Sequence, residues 1–142
     1  MPASVKEQVR RNLVAIISLV LAILSLSYNT WRNEVTEYNR NVRQAGFEML
    51  MTLGEVHQIV FFLHYDQDET QGNPRLGWAK VLLAADLATI MPPEVGTATE
   101  GLLVAWSTHW PSLGREEFAA NAVSDAVDEV RNATLEALSR LR

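Results

Sequence analysis

Three histidines, at positions 57, 64 and 109, are the side chains in this sequence most suited to holding a metal or moving a proton. His57 and His64 lie seven residues apart, two helical turns, and share a side of one helix with Phe61 between them. That separation is about 10 Å along the axis, too far for both rings to grip one small ion, because helical ligand pairs sit three or four residues apart. A haem or metal would need His109 and acids from other helices, and no Glu-x-x-His pair of the di-iron kind occurs. The expectation is therefore no metal and no cofactor.

Asp66, Asp68 and Glu69 could attract calcium, which takes several carboxylate oxygens. Counting from Asp66, Gly72 falls one place late for the EF-hand turn, and Gly77 stands where the closing bidentate Glu belongs. The run reads as a solvated loop. Asp86 interrupts the apolar stretch VLLAADLATIM, with Lys80 six residues earlier and badly placed as a partner. Exposure to water is the simple expectation for it; an inward carboxylate would need an Arg or His from another helix.

Trp106 and Trp110 are one helical turn apart beside His109, which makes the end of the third soluble helix the best place for a ligand. A candidate pocket accordingly comprises His57, His64, Asp86, Trp106, His109 and Trp110, set against the alternative that Trp78, Trp106, Trp110 and Phe118 simply pack. There is no cysteine, no Gly-x-Ser-x-Gly elbow and no glycine-rich phosphate loop, so nothing supports enzymatic catalysis. The sequon Asn132-Ala133-Thr134 falls inside a helical stretch and carries no weight.

The elements that would position these residues begin with a charge-free run from Asn12 to Trp31. Its dense core, LVAIISLVLAIL, includes Leu13, Ile16, Ile17, Leu19, Leu21, Ile23 and Leu24; Tyr28 and Trp31 close it with amphipathic rings suited to the headgroup layer. Twenty helical residues span roughly 30 Å, the thickness of a bilayer core. A cleavable signal peptide ending near Ser27 is the competing reading. Continuity favours an anchor, since neither Pro nor Gly occurs from Ala3 to Ala45. Lys6, Arg10 and Arg11 precede the span, whereas Arg32, Arg40 and Arg43 behind it are interleaved with Glu34 and Glu37. The expected orientation puts the N-terminus in the cytoplasm and the rest outside, the periplasm in a bacterium.

Beyond the span, apolar or small residues recur at alternating steps of four and three: Trp31, Val35, Tyr38, Val42, Ala45, Met49, Thr52, Val56, Ile59 and Leu63. This is an interaction seam of the coiled-coil or bundle type. Gly46, Leu50, Leu53, Val60 and Phe61 add a second stripe only in the distal half, which implies more neighbours there. The loop DQDETQGNPR, Pro92 with Pro93, and Pro111 to Gly114 divide the remainder. Helices are expected at about 32–65, 76–91, 93–110 and 115–141, the last with Ala119, Val123, Ala126, Val130, Ala133 and Ala137 as its inner stripe.

The expected organisation is thus all-α: a short basic N-terminal tail over residues 1–11, a single N-terminal transmembrane helix at 12–31, and an acidic domain at 32–142 in which that helix continues into an antiparallel four-helix bundle. Residues 32–142 hold nine basic and sixteen acidic side chains, net −7, with the arginines scattered, so nucleic acid is not an expected partner. The lipid bilayer, a second copy or another membrane protein are. The function implied is a non-enzymatic, membrane-anchored scaffold or accessory subunit working through helix–helix contacts. A ligand-sensing extracytoplasmic bundle that signals through a partner is the alternative.

Overall fold

Helix formation follows the proline punctuation and the four-three periodicity. A computed structural model describes residues 5–141, with side chains from residue 7, and every regular element among them is an α-helix: α1 (Val5–Arg11), α2 (Leu13–His64), α3 (Pro74–Ala88), α4 (Pro93–His109) and α5 (Glu117–Ser139). Residues 1–4 of the expected tail, and Arg142, lie outside the described residues; residues 5–11 of that tail are helical. Asn12 separates α1 from α2 without interrupting the backbone ladder, since its N–H donates to Gln8 O at 3.0 Å and its carbonyl accepts from Ile16 N at 3.0 Å. The chain divides into two compact units, Met1–Tyr38 and Asn39–Arg142.

In the first unit α2 carries the apolar run, and its stretch from Leu13 to Tyr38 is exposed throughout. The helix is long and apolar enough there to cross a bilayer. The two threonine hydroxyls of this stretch bond within the helix: Thr30 Oγ1 donates to Leu26 O at 3.0 Å and Thr36 Oγ1 to Arg32 O at 2.8 Å. The Tyr28 and Trp31 rings lie 6.0 Å apart at the end of the apolar run.

The second unit is a helical bundle with one core. From α2 it buries Val42, Ala45, Met49, Leu53, Val56, Ile59, Val60 and Leu63; from α3 Val81, Ala84 and Ala88; from α4 Val95, Leu102 and Trp106. From α5 it buries Ala119, Val123, Ala126, Val127, Val130 and Ala137, with Ala133 half-buried against them. Alanine and glycine bring backbones close: a Cβ on Gly46 would meet Leu138 Cδ2 at 2.7 Å. Several cross-helix contacts tie the elements together. Gly46 of α2 meets Leu138 near the end of α5, whereas Leu63 meets Gly114 ahead of its start; Glu55 of α2 pairs with Lys80 of α3, and Glu94 at the start of α4 pairs with Arg140 after α5 at 3.1 Å.

Helix ends differ from the expected ones for local reasons. α3 begins at Pro74 because Asn73 caps it, accepting from Arg75 N at 3.0 Å, and Pro74 lacks the N–H that a first helical position leaves unused. α3 ends at Ala88 because Thr89, Ile90 and Met91 tighten into i−3 turns, with their N–H groups bonded to Asp86, Leu87 and Ala88. Arg115 and Glu116 both return to Ser112 O, which delays α5 to Glu117.

Candidate functional site

The two long connections of the bundle, 65–73 and 110–116, meet at one end of it. Gln67 stands at φ 53°, in the left-handed region, just past the end of α2. From there its amide donates to the carbonyls of His64 at 2.6 Å and Leu63 at 3.3 Å, which the end of α2 leaves open, and to Gly114 O of the other connection at 2.9 Å. His64, half-buried, adds a second tie: its Nδ1 lies 2.9 Å from Leu113 O, an acceptor only, so Nδ1 carries the proton. Gly72 packs against the backbone of Leu63 with no room for a Cβ.

Asp68 holds the loop from within. Its carboxylate accepts from Gln71 N at 3.1 Å, Gln71 Nε2 at 3.0 Å and Thr70 N at 2.9 Å, and these bonds, led by that from the Gln71 backbone, keep its pKa below the ordinary value of 3.8. At the far end of the bundle, Glu94 lies below its usual 4.5 through the backbone N–H of its own helix start and then Arg140. The Arg140 guanidinium, bonded first to Glu136 and then to Glu94, is held more firmly protonated than usual.

Between the two connections lies an open groove of about 590 Å³ whose lining includes Gln67, Glu69, Arg75, Trp110 and Arg115. A smaller groove of about 280 Å³ includes His57, Phe61, Tyr65 and Ser124. A third, about 550 Å³, is lined by Gln44 and Glu48 of α2, Leu83 of α3 and Ile90 of the turn after α3.

These grooves separate the residues grouped as a candidate pocket. Trp110 lines the first and His57 the second; His64 is tied to the 110–116 connection; His109 stacks edge-on against Phe118 with ring centroids 5.5 Å apart. Trp106 is fully buried in the core, and Asp86 is exposed. No two histidines share a groove, and no group of three acids or histidines is placed to hold a metal among the described residues. Arg75 and Arg115 were not singled out from sequence. Arg75 stands in the first turn of α3 and Arg115 in the 110–116 connection, forty residues apart, and only the fold brings both to one groove.

The interaction seam divides as well. Val42, Ala45, Met49, Thr52, Val56, Ile59 and Leu63 are buried in the bundle, whereas Trp31, Val35 and Tyr38 are exposed, at 60%, 42% and 53%. The anchor residues Leu13, Ile16, Ile17, Leu19, Leu21, Ile23, Leu24 and Tyr28 are likewise uncovered. Comparison with known protein families, curated proteins and solved structures finds no match.

Proposed function

We propose that the chain is a single-pass membrane protein whose apolar helix extends the first helix of an antiparallel, up-and-down four-helix bundle, and that it serves as a scaffold or accessory subunit of a membrane assembly. Its partner is a second copy or another membrane protein, engaged through helix–helix contacts. The observation that carries this reading is the stripe of Trp31, Val35 and Tyr38: it keeps the four-three spacing of the core positions behind it, and all three side chains are exposed. The nine Leu, Ile and Val residues between Leu13 and Leu24 support the anchor, each favouring bilayer insertion by about 0.3 to 0.6 kcal/mol. The interior supports scaffolding over catalysis, since among the described residues its buried polar side chains are three threonines and no ionisable group. The basic flank of Lys6, Arg10 and Arg11 favours an N-terminus in the cytoplasm and a bundle outside.

Alkaline extraction of membranes, followed by mass measurement, tests the anchor. The expected product stays in the membrane at its whole length; a soluble product cut near Ser27 would overturn the reading. The groove at Trp110 favours a second reading, in which the bundle binds a small molecule and relays it through a partner.

A further inference from the structure

Beyond α2, the described residues carry five cations: Arg75, Lys80, Arg115, Arg131 and Arg140. Three have carboxylate partners, Lys80 with Glu55, Arg131 with Asp128, and Arg140 with Glu94 and Glu136. The two without an ion pair, Arg75 and Arg115, both line the 590 Å³ groove. The region is rich in acids, yet these two exposed cations carry no ion pair and share one groove. Arg115 is steadied by donating to Pro111 O at 3.2 Å, which sets its guanidinium at the groove wall.

The rest of the lining defines what those charges would meet. Trp110, 38% exposed, offers an aromatic face, and the rings of Pro74 and Pro111 add flat apolar surface. Glu69 is the one carboxylate in the lining, which leaves the groove a net charge of +1. Asp68, next to it, is turned to its own loop by Thr70 and Gln71. Guanidinium groups take a carboxylate in planar, charge-assisted hydrogen bonds, and a flat ring stacks on indole and proline. Glu69 repels a second negative charge and so discriminates against dianions.

We propose that this groove binds a small organic monocarboxylate bearing a flat apolar ring, with the carboxylate held by Arg75 and Arg115 and the ring laid on Trp110. The site stands whether or not the chain pairs through its seam, because every residue in it belongs to one bundle.

Equilibrium dialysis of phenylacetate and, separately, inorganic phosphate against the full chain in nanodiscs tests it. Saturable phenylacetate binding is expected, weakened about tenfold or more in the double variant Arg75→Gln, Arg115→Gln and in Trp110→Ala. Binding should strengthen by about threefold in Glu69→Gln, an effect that a merely structural role would not produce. All four positions are exposed, so thermal melts of the variants should match the parent. Absence of saturable phenylacetate binding, binding unchanged in the arginine double variant, or equal binding of phosphate would overturn the assignment.

Discussion

The six-membered ring of Trp106 lies directly over the backbone of Gly77, with Cη2 and Cζ2 occupying the space where a Cβ would stand. α3 and α4 meet through this contact, and the largest side chain in the core depends on the smallest residue in the helix that faces it. Gly77→Ala would raise helix propensity by about 1 kcal/mol, but it forces the buried ring to move, and overpacking of that kind costs about 1 to 3 kcal/mol or more. The clash wins, so a lowered midpoint in urea unfolding is expected. Gly101→Ala, with nothing within 4 Å of the new methyl group, is the control and should raise the midpoint.

Thr134 offers a gain in the opposite direction. Its side chain is fully buried, and Oγ1 has no hydrogen-bond partner, unlike Thr99, whose hydroxyl donates to Val95 O at 2.7 Å. Thr134→Val keeps the shape and removes an unsatisfied polar atom, which should stabilise the bundle by about 1 kcal/mol. Thr99→Val, measured in the same melts, should stabilise less.

Gln67 separates a backbone effect from a side-chain effect at one position. Gln67→Ala removes the three hydrogen bonds to His64, Gly114 and Leu63 while retaining a left-handed residue that carries a Cβ, and should cost about 1 to 2 kcal/mol. Gln67→Gly loses the same bonds but adopts φ 53° freely, so its midpoint should lie above that of the alanine variant.

Acid should loosen the 65–73 connection through Asp68. Because the folded pKa is depressed, the stabilisation is fully present above the unfolded value near 3.8 and is lost as pH falls through the lower folded value. Asp68→Asn should therefore flatten the decline in melting temperature below pH 4. A carbon-detected NMR titration should place the Asp68 midpoint under 3.8; a midpoint at or above that value would contradict the hydrogen bonding described.

Much of the helical pattern was legible because burial repeats with helical period: Val42, Met49 and Val56, and again Val123 and Val130, are buried at the positions their spacing indicates. Exposure was harder to read. Val35 and Val42 are the same residue type on one stripe of one helix, yet one is 42% exposed and the other fully buried, and nothing in the local sequence distinguishes them. That distinction decides where self-association can be tested. Val42→Lys or Met49→Lys would place a charge in the core and unfold the bundle, so substitutions belong at Trp31, Val35 and Tyr38 instead. Trp106 and Trp110 illustrate the same limit in the groove, since one turn of helix separates a core ring from a groove wall. His64 was legible as a polar residue near a helix end, but its acceptor, Leu113 O, lies 49 residues away and leaves no local signal.

The chain has no cysteine, so single introduced cysteines report contacts between copies directly. Val35→Cys lies on the exposed stripe, and Asn33→Cys lies on the opposite side of the same helical turn. Oxidative cross-linking of each variant in native membranes measures whether the stripe meets a second copy. Rapid formation of a dimer of twice the chain mass from Val35→Cys, with little from Asn33→Cys, is the predicted result. Equal cross-linking at both positions, or none at either, would contradict assembly of two copies through Trp31, Val35 and Tyr38.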